Sequence, residues 1–518
     1  MLTTTQNRLV HQCSETKQKL LQKDSDSSNL RLVQLLEPKE IQNAFSQTGR
    51  APHRSSRIFN PTVTIWIFLT QILSTDSSCR NALCQWIALL ASKGQKLCSS
   101  ATGGYAQARL RLPVEFFKNV SLSFARQLHE KYQDQSEWTF RGRPLKMADG
   151  TTITIQDTPQ NRKRYPMTEG TLGYPLLRLV VLISFSTGAW LDMKIGPHIG
   201  KGSGEGSLFL KILMNSEFLQ QGDILLVDRL YSSYLILGFC NLKGVDVVTR
   251  QLGAMKGEKL KSLKILGEGD RLVELKKPHP ANTTSDPELL KKIADTIILR
   301  EITYYLQVRG FRTKKIVIMT SLLDPHEYPA SEIATLYYFR WNCELDLRNI
   351  KTAMQMDTLR CKTPEMIEKE LWMYQLGYNL VRASMAQAAL SSSVKPRELS
   401  FKGTLQILNA FRPHYMTIAD SVEREKYVQS MFQVMGQLRL VLRPFRIEPR
   451  AIKKRKSSYP NLKTSRAQAR TQFWKKGDAY YKRKKDMQNS TSTTPSHIAQ
   501  AGLDLAGIQL NMTFGSVI

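Results

Sequence analysis

The 518-residue chain is short of acids, of paired cysteines and of long apolar runs, and each shortage narrows what it can be. Only 44 Asp and Glu stand against 74 Lys and Arg, a formal net charge of +30. An excess of that size points to a polyanionic partner. Nucleic acid comes ahead of a membrane surface, because no lipidation motif is present. The seven cysteines (Cys13, Cys79, Cys84, Cys98, Cys240, Cys343 and Cys361) form no CxxC pair and have no neighbouring histidine cluster. That argues against a zinc site or disulfide framework and for free thiols in a reducing cytoplasm. The longest apolar run near the start, PTVTIWIFLTQIL, is interrupted by Thr and Gln. At about 13 residues it is too short to span a bilayer, and the N-terminus has no signal-peptide pattern. The expectation is a cytoplasmic, nucleoid-associated protein with no membrane partner. There is no internal repeat.

What is present is enough apolar sequence, 42%, for a sizeable core and two or three domains. Residues 1–140 are expected to form a helical region, helix-turn-helix-like at about 61–112. Asn60 before Pro61 fits an N-cap followed by proline at the first helical position. A short helix opening with TGGY carries Arg109 and Arg111, which are expected to contact DNA; the plain alternative is a helical bundle with surface arginines. Near Pro144 the texture changes. PLKMADGTTITI, LLRLVVLISFS and AWLDMKIG have strand character, and IGKGSGEG leads into the amphipathic SLFLKILMNSEFL. Then follow the strand GDILLVDR, the helix YLILGFCNLKG and the strand VDVVTRQ. Three strands, helix, strand, helix, strand is the order of a ribonuclease-H-like α/β domain, expected over 141–252 and 326–364. A β-strand insertion is expected at 253–325, built from DRLVELKK, TIILREITYYLQV and KKIVIMTSLL. Residues 365–485 are expected to be helical and basic, and 486–518 a disordered tail. From Arg439 to Lys485 there are 17 Lys/Arg and 2 acids, a net +15 that is half the charge of the chain.

Within YYFRWNCELDLRNIK, Tyr337, Arg340, Glu344 and Lys351 stand at offsets 0, 3, 7 and 14. On one continuous helix those offsets fall within an arc of roughly 60°. The ordinary fate of such a stripe is a solvated face with helix-spaced ion pairs. Two further acids occupy strand positions: Asp149 in LKMADGTTI, and Asp228 at the end of DILLVDR. Either can be a harmless turn cap or a partner of Arg229. In a ribonuclease-H-like sheet, however, the first and fourth strands are neighbours, so the two acids face each other. Carboxylates so placed repel unless a cation stands between them. With Glu344 brought over the same edge, three oxygen donors without His or Cys suit Mg²⁺ or Mn²⁺, two ions together serving phosphodiester cleavage. Arg340 and Lys351 then suit phosphate binding, and Tyr337 a further phosphate hydrogen bond.

These residues resemble the DDE transposases of insertion sequence family four, whose Y-x2-R-x3-E-x6-K signature is matched at Tyr337, Arg340, Glu344 and Lys351. ADGT around Asp149, GDILLVDRLY around Asp228, GKGSGEGSLF between them and VDVVTRQ with Arg250 add to the resemblance, which spans about 50–485. It implies that Asp149, Asp228 and Glu344 are the catalytic metal-holding triad, with Asp149 shared between two ions. It implies that Tyr337, Arg340, Lys351 and Arg250 bind the DNA of the element's terminal inverted repeats. The reaction implied is hydrolysis at the element's ends, then attack of the freed 3′-OH on target DNA, by a dimer in the synaptic complex. Some relatives stack a flipped base on a tryptophan of the insertion. Residues 253–325 contain no tryptophan, which leaves Tyr304, Tyr305 or Phe311 as substitutes, though each also suits core packing. The alternatives are a non-transposing metal-dependent endonuclease of the same fold and an inactive, transposase-derived DNA-binding protein.

Overall fold

The computed structural model describes residues 38–49, 58–133, 139–167, 173–251, 260–279, 287–306, 314–415, 417–440 and 468–476. The main unit comprises Met1–Glu169 and Tyr174–Arg450. The helix at 468–476 belongs to a second unit, in which Phe473 and Trp474 are exposed. Most of the basic segment from Arg439 to Lys485, the tail at 486–518 and Phe311 lie outside the described residues.

Helices come first: α1 (Pro38–Ser46), α2 (Pro61–Leu73), α3 (Cys79–Ser92), α4 (Gly103–Arg111) and α5 (Val114–Gln133). Asn60 caps α2 by accepting the Val63 N–H at 2.8 Å, with Pro61 behind it where no donor is needed. Strand β1 (Leu145–Thr154) is followed by α6 (Pro159–Arg164), β2 (Leu176–Ser184), β3 (Trp190–Pro197), α7 (Glu205–Asn215), β4 (Ile224–Val227), α8 (Tyr234–Lys243) and β5 (Asp246–Arg250). These five strands lie in the order β3-β2-β1-β4-β5, antiparallel across β3-β2-β1 and parallel across β1-β4-β5. That is the ribonuclease-H-like arrangement. From Leu179 on, β2 is buried without alternation, as expected for a strand covered on both faces.

The insertion does not form a separate sheet. Strands β6 (Lys261–Gly267), β7 (Asp270–Lys276), β8 (Thr296–Leu306) and β9 (Lys314–Thr320), with the short α9 (Pro287–Leu290), make an antiparallel meander. Its strand β9 pairs with β5, from Val248 opposite Thr320 to Arg250 opposite Ile318. One nine-stranded sheet results. A buried ion pair between Arg300 and Asp270 (2.8 Å) ties β8 to β7, and Arg300 also donates to the Tyr328 carbonyl at 2.6 Å.

The stripe does not lie on one helix. Helices α10 (Ala330–Tyr338) and α11 (Trp341–Arg348) are separate, and a π-helical turn, Asn349–Ala353, follows. Between them the hydrogen bonds tighten to three-residue spacing, Phe339 N–H to Leu336 and Arg340 N–H to Tyr337, whereas Met354 N–H reaches back five residues to Asn349. Tight winding followed by loose winding alters the rotation per residue, so the ideal 100° step does not describe this segment. Behind it α12 (Pro364–Ser391) is buried almost throughout, packed against α5, α2 and the C-terminal α14 (Ser421–Gln437), with α13 (Phe401–Tyr415) between. No helix among the described residues is long and apolar enough to cross a membrane.

Candidate active site

Register builds the site. The parallel pairing of β1 with β4 ends at Ala148 opposite Val227. The next residue in each segment is an acid: Asp149, midway along β1, and Asp228, just past the end of β4, so the two stand side by side where the β1–β4 pairing stops. Asp228 leaves β4 into a short 3₁₀ turn, Arg229–Tyr231, and its carbonyl accepts from Thr249 Oγ1 of β5 at 3.2 Å. Arg229 is exposed.

Helix α11 packs on β1 and supplies Glu344. Arg340 joins the groups: Nη2 donates to Glu344 Oε1 at 2.7 Å, and Nη1 lies 3.8 Å from Asp149 Oδ2. Burial pushes the Asp149 carboxyl up to about 6; the Gly150 N–H (2.8 Å) and Arg340 draw it down, while Glu344 and Glu205 push it up. Lys351, swung onto β1 by the π turn, donates to Thr151 Oγ1 at 3.1 Å and to the Thr152 carbonyl at 3.0 Å. The Tyr337 hydroxyl is buried without a hydrogen-bond partner, within electrostatic reach of Asp228, Arg340 and Arg250. Arg250 closes β5 beside it. All four stripe residues therefore turn toward the ends of β1, β4 and β5.

The helix is fixed from behind. Asp346, buried two residues past Glu344, takes hydrogen bonds from Arg382 and from Arg397 (3.0 Å), and Arg382 is braced by the Tyr378 hydroxyl at 2.8 Å. Breaking such a buried charge network is strongly destabilising, so α11 has little freedom to carry Glu344 away.

The expectation for Arg109 is overturned. Its guanidinium is buried between Phe68 (4.9 Å) and Tyr105 (4.7 Å), and it donates to Gln71 Oε1 and Cys79 Sγ. An arginine held there packs α4 to α2 and α3, withdrawn from the surface on which a DNA contact is expected. Lys369 of α12, also buried, caps the end of α4 through the carbonyls of Arg109 and Leu110. Arg111 is exposed, on a face with Gln107 and Leu110.

Two features were not anticipated from the sequence. Tyr338, Phe339 and Trp341 flank Arg340 with large exposed faces, 72%, 39% and 51%. Tyr305 is exposed and Tyr304 half-buried. The second is Glu205, at the start of α7, whose carboxylate lies against Gly150. Among the described residues no three His, Cys, Asp or Glu side chains form a ready metal cage. The Arg340 guanidinium stands between Asp149 and Glu344 instead.

Residues 141–380 match the family model described as the transposase DDE domain. It is 28% identical over 437 residues to "Transposase InsG for insertion sequence element IS4" of Escherichia coli (strain K12), spanning 82% of this chain and 92% of that one. The extent of that match favours a transposase over a stand-alone endonuclease. A cryo-EM structure titled as a piggyBac transposase synaptic complex with hairpin DNA is similar over 76% of this chain and 81% of that one, at 10% identity and a TM-score of 0.35; a likeness that slight carries no argument.

Proposed function

We propose that this transposase cuts DNA at the ends of its element and joins the freed 3′-OH to target DNA, using Asp149, Asp228 and Glu344 to hold Mg²⁺ or Mn²⁺. The observation that carries the reading is the β1–β4 register, which sets two acids 79 positions apart side by side where that pairing stops. The fit to cations rests on the oxygen-only donor set, on a guanidinium occupying the gap between two of the acids, and on the orphaned Tyr337 hydroxyl. When bound, a pair of divalent ions supplies activation of the attacking oxygen and charge stabilisation at the leaving oxygen.

The protein's own groups do the positioning. Arg340, released from Glu344, offers a planar fork to a phosphate beside the cut, and Lys351 a point charge. Tyr337 donates its unused hydrogen bond to another phosphate oxygen, with Arg250 alongside. Tyr338, Phe339 and Trp341 present faces on which an unpaired base can stack, a better-exposed set than Tyr304. Arg111 and the basic C-terminal segment add phosphate contacts in the cytoplasm, at the nucleoid. Two copies on paired inverted repeats form the proposed working assembly.

Asp149→Asn tests the reading. Mg²⁺-dependent cleavage of a terminal-repeat duplex is expected to fall by roughly 10³-fold or more, with DNA binding and melting temperature unchanged. Wild-type cleavage in that variant sinks the assignment, and a collapsed protein makes Asp149 a structural residue.

A further inference from the structure

Gly150, the residue after Asp149, lies inside β1, where glycine weakens a strand and marks a close approach. Its backbone is not in the left-handed region, so conformation does not demand glycine there. The space it leaves is taken by Glu205: a methyl group on Gly150 would come within 2.5 Å of Glu205 Cδ and 2.7 Å of Glu205 Oε2, and would push that flexible carboxylate aside. The missing side chain lets a further carboxylate lie against β1 next to Asp149.

Tyr231 is the independent observation. It is fully buried, its ring packs edge-on against Phe209 of α7 with centroids 5.0 Å apart, and its hydroxyl has no hydrogen-bond partner. That hydroxyl lies within electrostatic reach of Asp149, Glu205 and Asp228, yet none of them accepts its hydrogen. A buried hydroxyl left unpaired among three acids marks a place where a hydrated ligand completes the site. The simpler account, that Glu205 is an ordinary acid in the first turn of α7 favoured by the helix dipole, explains its charge. It does not explain why the carboxylate is laid over Gly150, within electrostatic reach of Asp149, in the space a side chain would fill.

We infer that Glu205 is a fourth carboxylate of the cation site and that Gly150 is the clearance that admits it. The inference rests on the reading of Asp149, Asp228 and Glu344 as cation-holding groups. Asp149 would then be flanked by acids from two elements, Glu344 of α11 and Glu205 of α7.

Manganese binding to the full-length protein, followed by the EPR signal of free Mn²⁺, tests this without cleavage. Glu205→Gln and Gly150→Ala are each expected to weaken Mn²⁺ binding about tenfold or more. Glu205→Asp keeps the charge at the helix N-terminus but shortens the reach, and is expected to weaken binding as well. Melting in EDTA is expected to match wild type for both Glu205 variants. Wild-type Mn²⁺ affinity in Glu205→Gln and Glu205→Asp, with Asp149→Asn losing it, overturns the inference and leaves the triad standing. Wild-type affinity in Asp149→Asn overturns the triad reading and this inference with it. Should Glu205→Gln fail to fold, unweakened Mn²⁺ binding by Glu205→Asp overturns the inference alone.

Discussion

Arg340, at the break between α10 and α11, and Arg109, on α4, are both largely withdrawn from water and both hydrogen-bonded, yet they sit in regions built to opposite ends. Arg109 hydrogen-bonds to neutral groups, Gln71 and Cys79, and lies between the faces of Phe68 and Tyr105, with the buried carboxylate of Glu370 of α12 within electrostatic reach. Arg340 is surrounded by acids at the open end of a sheet. A guanidinium bonded to neutral groups has nothing to gain by leaving. On the proposed function, one bonded to carboxylates that hold another cation exchanges them for a phosphate. The company an arginine keeps, more than its exposure, separates packing from function here.

The contrast can be broken by experiment, beginning with the larger effect. Arg340→Ala and Lys351→Ala are expected to slow strand transfer about tenfold to a hundredfold, because each removes charge-assisted hydrogen bonds of about 1.5–3 kcal/mol beside the cut. Initial DNA binding should fall much less. Equal losses in both would return the stripe to a general phosphate grip.

Arg109→Ala should instead cost stability, about 2–3 kcal/mol, by removing the cation–π packing and the hydrogen bonds that hold α4 in place. Thermal melting checks it, with the exposed Arg111→Ala as the reverse case: unchanged melting and weaker DNA binding. If Arg109→Ala melts normally and loses its preference for terminal repeats, the buried arginine is a DNA reader after all.

The smallest effect per residue is expected in the basic segment. Replacing Lys and Arg between 439 and 485 by Gln should weaken cognate and random DNA alike. Every phosphate that the segment no longer neutralises should flatten the slope of log affinity against log salt by about 0.9. A slope that does not move assigns the segment to a different partner.

Much of the catalytic sheet was legible because its strands advertise themselves: LLRLVVLIS is apolar almost without a break, and DILLV ends at an acid. Strand β6 was not, since KSLKILG is exposed almost throughout and carries no buried face to betray it. The breaks around Arg340 and after Arg348 were also hidden, because helix winding is decided by hydrogen bonds that composition does not record. Arg109 carried a missed signal. Tyr105, Ala108, Arg109 and Leu112 share the i, i+3, i+4, i+7 spacing of an inward face, and all four are buried. Glu205 had one too, in the glycine inside a strand directly after Asp149.

The groups at the sheet edge come from distant parts of the chain. Lys351 bonds to Thr151 across 200 positions, and β5 meets β9 only after the whole meander between them has been made. Pairings of such long range form late, after loop closure has been overcome. A growing polypeptide therefore leaves the ribosome without a complete cutting edge until Glu344 and the residues just beyond it have been synthesised and folded back onto β1. Fragments ending earlier retain basic helices and strand ends but lack the third acid. On the proposed assignment of Glu344, the order of synthesis itself keeps an unfinished chain from cutting DNA.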